Sequence, residues 1–358
     1  MNKIQLNLLS NSLIMQIAAI CLIKEAKCNI AFKYSSLKSH ARLFSINSSS
    51  QKLLQKIGIW GNIPTESIVP YERINVFSQD RTLVTFNAKD INSKYLGFII
   101  NENDLVKSIH EIFRSLETPF KEKNESNHYL NISSNPKIIG TTKMNVDFHT
   151  KDYDQTAINM YIKHTLNNNL IPSQIFHKNE VLGFLPISND EYNLIWSLPN
   201  KTYSEISKSK NYIKYLEERS EFLIGKVEDL KIGNSFPLFA KHAMKYCFDN
   251  TVLIGDAAHK FHPLAGLGLN MGIEDVITLT NLINNYDNKR IIQREFAIRR
   301  VHRNKALQRI LDLIINFYST ELFPDSFKSL MLNLFNHSII LKSNITKEAT
   351  GYNQSINK

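Results

Sequence analysis

Two periods of apolar and polar residues alternate along the 358-residue chain and divide it into elements. A short apolar run, Ile4 to Leu9, leads into Ser12 to Lys27, where Leu13, Ile17, Ile20 and Lys24 recur at helical spacing. Cys28 to Phe32 is apolar again. Strand, helix, strand in roughly thirty residues predicts a βαβ opening of a parallel sheet. Leu53, Leu54 and Ile57 share one helix face, with Gly58 placed as a C-cap. The middle of the chain shortens to strand-like runs: Ile74 to Phe77, Leu83 to Phe86, Leu96 to Ile100, Ile158 to Lys163, Val181 to Pro186 and Tyr192 to Leu198. Between them, Asn103 to Leu116 reads as an amphipathic helix capped by Asn103, and Tyr212 to Leu223 as a charged helix. Residues 117 to 137 look polar and irregular. Val252, Leu253 and Ile254 then form a wholly apolar run, the pattern of a strand buried on both faces, expected beside Ile4 to Leu9. Ile291 to Ile315 is long, helical and basic, and Leu322 to Ile340 adds apolar and aromatic residues.

Charge changes this picture little. The chain carries 43 basic against 33 acidic residues, a net +10 with a pI near 9.3. The cations are spread along the chain without interleaved aromatic residues, which argues against nucleic acid as a partner. Arg294, Arg299, Arg300, Arg303, Lys305 and Arg309 read first as one solvated helix face; the competing reading is a surface for a membrane or a protein partner. Cys21, Cys28 and Cys247 show no paired spacing, so neither a disulfide framework nor a zinc site is expected, and the cytoplasm is the default compartment. No run of about 18 apolar residues is present, so no spanning segment is expected. His259 and His262 read as loop histidines, and no metal is expected.

The chemistry concentrates after Ile254. Gly255 ends the apolar run and sets Asp256 at the carboxyl end of a strand, where open α/β sheets bind ligands. Pro263, Gly266 and Gly268 make a loop of little bulk. From Asn270 a helical pattern runs through Ile273, Val276, Ile277, Thr280 and Ile283. Such a loop aims backbone N–H groups and a partial positive charge at its ligand. With a carboxylate alongside, it suits a flat, polar, redox-active ring on a sugar-like chain.

The stretch Gly255-Asp256-Ala257-Ala258-His259, continuing to Pro263-Leu264-Ala265-Gly266-Leu267-Gly268-Leu269-Asn270, resembles the signature of the flavoprotein aromatic hydroxylases, the superfamily of para-hydroxybenzoate hydroxylase. Within it the likeness is to ubiquinone-biosynthesis hydroxylases of the UbiH type. Arg42 to Trp60, Asp152 to Ala157, Gly183 to Pro186 and Ile195 to Pro199 carry further matches. The resemblance implies an α/β fold: a doubly wound, Rossmann-like FAD domain interrupted by a mostly antiparallel β substrate domain, with a helical C-terminal tail. It assigns 1–62, 97–147 and 236–300 to the FAD domain, 63–96 and 148–235 to the substrate domain, and 301–358 to the tail. It implies FAD held by Arg42, Gly255, Asp256, Pro263, Gly266, Leu267, Gly268, Leu269 and Asn270, with Asp256 on the ribityl chain and Arg42 at the ribityl or phosphate region. NAD(P)H is the implied reductant, a polyprenylated phenol the substrate, and a ubiquinone-biosynthesis complex and the inner membrane surface the implied partners. The chain also departs from the pattern. Leu267 replaces the usual Gln. The first glycine turn reads Ser10-Asn11-Ser12-Leu13-Ile14-Met15, with Met15 expected to crowd helix on strand. Phe32-Lys33-Tyr34 lacks the acid expected for the adenosine ribose, and Thr142 and Lys143 replace an Asp-Gly pair after Gly140. Two functions follow: a ring-hydroxylating monooxygenase, or a non-catalytic homologue serving as a structural subunit of the assembly.

Overall fold

A computed structural model describes residues 4–26, 28–38, 42–79, 81–116, 129–137, 146–167, 170–319 and 324–351. In chain order, β1 (Leu6–Leu8), α1 (Leu13–Glu25) and β2 (Ile30–Phe32) form the expected βαβ opening. Next come β3 (Leu43–Asn47), α2 (Ser48–Lys56), β4 (Val69–Tyr71), β5 (Arg73–Phe77), β6 (Leu83–Asn87), β7 (Gly97–Asn101) and α3 (Glu102–Ser115). A four-residue strand, β8 (Leu130–Ser133), precedes the 17-residue β9 (Phe148–His164), followed by β10 (Ser173–His177), β11 (Glu180–Pro186) and β12 (Glu191–Pro199). The helices α4 (Asn200–Ser209) and α5 (Tyr212–Ile224) lead to the equally long β13 (Val227–Ala243), then β14 (Cys247–Phe248), β15 (Thr251–Leu253) and β16 (His259–Lys260). The chain closes on four helices: α6 (Gly268–Asn285), α7 (Lys289–Ser319), α8 (Asp325–His337) and α9 (Ile339–Thr350).

The first sheet runs β14-β15-β8-β1-β2, parallel except for β14. Here the sequence expectation needs correcting: β15 does not touch β1, because β8 lies between them. α1 and α6 pack against each other over this sheet, and Leu6, Leu130, Ile132, Val252 and Leu253 are all buried. The second sheet, β16-β13-β9-β12-β11-β10-β5-β6, is antiparallel apart from the β10–β5 pair. Its own core gathers Trp196, Tyr192, Phe184 and Leu194 beneath α4 and α5. A small third sheet, β3-β7-β4, sits between them in the chain. Two helix starts also differ from expectation. Asn101, not Asn103, caps α3 and accepts from the Asn103 N–H at 2.8 Å, and α6 begins at Gly268 rather than Asn270.

Candidate active site

β15 delivers the chain to Gly255, whose φ of +56° reverses it sharply. A Cβ at Gly255 would stand 3.1 Å from Ile14 Cγ2, so α1 leaves no room for a side chain there. The turn leaves Asp256 exposed on the wall of a large cavity. Gly266, at φ +62°, presses against Ser45 of β3, with Ser45 Cβ 3.2 Å from where its own Cβ would lie. Gly268 is the opposite case: a Cβ built on it meets nothing within 4 Å. Backbone at the start of α6 is therefore open to the cavity. Asn270 pins this loop by donating to the Ser45 carbonyl (2.7 Å) and the Gly266 carbonyl (3.2 Å) while accepting from the Asn47 N–H (2.9 Å). Asn47 in turn accepts from the Ser50 N–H (2.8 Å) at the head of α2 and donates to the Ala349 carbonyl of α9 (3.3 Å).

Beneath the loop runs a buried ionic network absent from the sequence reading. Asp275 accepts from the Gly255 N–H at 2.8 Å and pairs with His259 Nε2 at 2.7 Å and Arg300 Nε at 2.7 Å. Arg300 also donates to Glu274 (2.9 Å), to the Met271 carbonyl (3.3 Å) and to Asn304 Oδ1 (3.0 Å). Burial alone would raise the Asp275 carboxyl, but the charges of His259 and Arg300 and the hydrogen bonds from His259 and the Gly255 N–H outweigh it and hold it below the usual range. For Arg300, likewise, burial works to lower the pKa and the two carboxylates to raise it, and the carboxylates prevail. Arg300 was expected on a solvated face; it is instead among the largest fully buried side chains, whereas Arg294, Arg299 and Arg309 are exposed as expected. Its role is to hold α6, β16 and the Gly255 turn in register.

His262 is also buried. Its Nδ1 accepts from the Leu264 N–H (3.2 Å), which leaves Nε2 to carry the proton toward Gln155 Oε1 (3.3 Å). Burial pushes its pKa down to about 4, so the ring is neutral at pH 7. It lines the cavity as a fixed, uncharged wall. On the facing strands, Tyr71 OH and Ser45 Oγ are 2.8 Å apart, and burial raises the Tyr71 hydroxyl to about 12.

The far end of the cavity lies at the head of α1. There the lost glycines have become hydroxyls. Ser134, after β8, stands 2.8 Å from Ser10 Oγ and 2.6 Å from Ser12 Oγ, and its N–H donates to Ser10 Oγ at 3.0 Å. Ser12 caps α1 by accepting from the Met15 N–H (3.2 Å). Met15 does not crowd the packing as expected. It is fully buried in the main core, and the close helix approach falls instead at Gly272, where a Cβ would lie 3.0 Å from Ile14 Cγ1. Beyond the end of β2, Tyr34 hydrogen-bonds His110 and stacks on Phe113 of α3 with ring centroids 4.3 Å apart. The segment Ile138 to Asn145 lies outside the described residues.

One cavity of about 1200 Å³ connects these parts. Its wall passes from Ser12 and Ser134, along Arg42 to Asn47 and Gly255–Asp256, to the 263–269 loop, and on beneath the large sheet. All nine expected cofactor residues border it. Arg42 stands at its rim in a bidentate pair with buried Glu102 (2.6 and 3.2 Å). The residues present fit a dinucleotide-linked flavin. Hydroxyl donors and a helix N-terminus stand at one end, a carboxylate lies midway, and open backbone at a second helix N-terminus stands at the other. Asn47, Ser45 and Asn270 escaped the sequence reading as one unit because their bonds join residues more than 200 positions apart.

Comparison with known proteins agrees with this geometry. Residues 130–289 match the family described as FAD binding domain. The chain superposes on the p-nitrophenol 4-monooxygenase PnpA of Pseudomonas putida with a TM-score of 0.74, at 14% identity and 99% coverage of both chains. It superposes on PqsL of Pseudomonas aeruginosa, a probable FAD-dependent monooxygenase, with a TM-score of 0.72 at 13% identity, covering 93% of this chain and all of that one. The fold is the one these monooxygenases share, and the FAD binding domain match falls on residues 130–289 within it. Among sequence relatives, the 3-demethoxyubiquinol 3-hydroxylase of Escherichia coli is 24% identical over 348 residues, covering 87% of each chain. The mitochondrial ubiquinone biosynthesis monooxygenase COQ6 of Danio rerio is 24% identical over 79% of this chain and 74% of its own. The chain is thus similar along most of its length to hydroxylases of ubiquinone biosynthesis.

Proposed function

We propose that the protein hydroxylates the aromatic ring of a polyprenylated phenol in ubiquinone biosynthesis, with O₂ and a reductant such as NAD(P)H. The observation that carries this reading is the continuity of the cavity: the flavin-shaped track opens directly into an apolar chamber under the large sheet, walled by Phe184, Leu185 and Ile195. Bound FAD supplies the two-electron reduction of O₂ and the delivery of one oxygen atom to the ring. This chain's residues bind, orient and exclude water. Asp256 would accept hydrogen bonds from the ribityl hydroxyls, and Arg42 would answer phosphate charge at the rim. The open backbone of Gly266 to Asn270 would hold the ring, and the α6 N-terminus would stabilise negative charge on it. Neutral His262 and protonated Tyr71 add no full charge to the chamber wall, which suits an electron-rich phenol. We further assign the large sheet to substrate and the β1–β15 sheet to FAD.

A peripheral membrane contact belongs to the same reading. Among the described residues no helix is long and apolar enough to cross a membrane. Leu313, Phe327, Leu330, Met331, Leu334 and Leu341 nonetheless expose apolar side chains on α7 to α9, a face suited to lie against lipid. The reading of a non-catalytic subunit is supported by the loss of the glycines at Ser10 and Ser12. The deciding experiment measures flavin absorbance of the purified protein. It then supplies a prenylated phenol, NADH and O₂ and looks by mass spectrometry for one added oxygen atom. Flavin-loaded protein that yields no such product would favour the structural subunit.

A further inference from the structure

The cavity is larger than a flavin and a single aromatic ring need, and larger than the roughly 300–1,000 Å³ of most small-molecule pockets. Its excess lies in one direction. Past Leu264 and Leu267 of the flavin loop, the wall is made by Leu311, Ile314 and Phe317 of α7, by Leu332 and Phe335 of α8, and by Phe86 of β6. Phe335 faces Phe86 at 6.1 Å between centroids, and Phe176 of β10 stacks on Tyr318 at 3.9 Å, so aromatic rings close the flanks. The lobe reaches the surface between α7 and α8, where Leu313 (68% exposed) and Met331 (44% exposed) belong both to its lining and to the exposed apolar face. An apolar passage thus joins the flavin loop to the outside.

We propose that this lobe between α7 and α8 is the binding site for the isoprenoid tail of the substrate, with the tail leaving the protein past Leu313 and Met331. This rests on the polyprenylated-phenol reading and adds where the tail goes. A tail directed here leaves the ring at the flavin loop and its far units at the surface patch. A substrate longer than the lobe is therefore accommodated without enclosing it. Residues of the lobe contribute affinity through burial of tail carbons and carry no chemistry.

The test measures binding to the purified protein by isothermal titration with phenol, 2-geranylphenol, 2-farnesylphenol and free farnesol. Burial of five carbons per isoprene unit should tighten binding at least about tenfold per unit. Leu311→Trp, which fills the lobe, should erase that increment and leave phenol binding unchanged. Because Leu311 is a core residue, Ile314→Trp on the half-buried flank provides the same readout if the first variant fails to fold. Leu313→Gln, at a surface position, should reduce only the step from geranyl to farnesyl. Equal binding of phenol and farnesylphenol by the wild type, or a tail increment that survives both tryptophan variants, overturns the tail site while leaving ring hydroxylation standing. A tail increment that the variants erase, in a protein that never hydroxylates, supports the tail site and overturns the proposed reaction.

Discussion

At the loop end of the cavity, backbone is what lies open: Gly268 carries no side chain to cover it, and Asn270 and Asn47 are spent on holding the loop. At the α1 end the arrangement is reversed. Ser10, Ser12 and Ser134 put hydroxyls where bare backbone was expected. The two ends also differ in what supports them. The loop rests on the fully buried Asp275–Arg300–Glu274 network, while the serine chain is only partly buried and ties β1, α1 and β8 together. The contrast teaches that a ligand contact made by backbone needs an elaborate hidden scaffold, whereas one made by side chains can be rewritten residue by residue.

The comparison breaks most forcefully at Arg300. Arg300→Met leaves buried Asp275 with His259 alone and buried Glu274 with only the longer Arg303 contact (3.4 Å), and should cost about 3–5 kcal/mol of stability, read as a large fall in Tm. A loss under about 1 kcal/mol would mean that the network does not bear on the loop. Acid acts next. His262 is neutral and buried with its pKa near 4, against an unfolded value near 6.5, so the unfolded chain binds the proton first as pH falls. Stability should therefore decline from about pH 6.5 to about pH 4, by up to roughly 3 kcal/mol for this residue. His262→Gln should flatten that slope in pH-dependent melts. Asp275, with its carboxyl depressed, contributes stability that is present above the unfolded carboxylate pKa and is lost at lower pH still, as its folded pKa is passed.

Smaller effects separate the two ends by ligand. Asp256→Ala should weaken FAD and riboflavin alike by ten- to a hundredfold, from loss of a charge-assisted bond of about 1.5–3 kcal/mol. Equal flavin affinity in variant and wild type would remove Asp256 from the site. Ser134→Ala takes away the hydroxyl shared by Ser10 and Ser12. It should weaken FAD about fivefold, a cost near 1 kcal/mol, and leave riboflavin, which has no phosphate, unaffected. A matching loss for riboflavin would show a fold defect rather than a phosphate contact.

Much of the loop end was readable from the chain because its signals are local. An apolar triplet, a glycine, an acid and a low-bulk loop follow one another within twenty residues, in the order they occupy in space. Strand β8 was not readable. Its sequence is Leu-Asn-Ile-Ser, in a polar stretch, and it is held in the sheet by Leu130 and Ile132 on neighbours distant in the chain, with Asn7 donating to Asn131 across the strands at 3.1 Å. Hydropathy does not register an amide pair. Arg300 eluded the reading for a related reason. A cation in a basic helix looks solvated until its two carboxylates arrive from α6. Met15 shows the converse: a residue that looked obstructive became core, because Gly272 supplies the close approach elsewhere.

The tie from Asn47 to the Ala349 carbonyl joins residues 302 positions apart. Arg303 reaches Glu348 of the same helix, and a Cβ at Gly351 would lie 3.0 Å from Glu274 Oε1. Residues 344–346 and 348–350 are thus wall material for a cavity whose other end is residues 12 to 14. During synthesis the parallel sheet can form while the cavity still lacks this side. A chain paused or cut ahead of α9 would hold a folded sheet around an open trough, with its apolar lining turned to solvent. Entry of the flavin before or after α9 docks then becomes a question of timing on the ribosome.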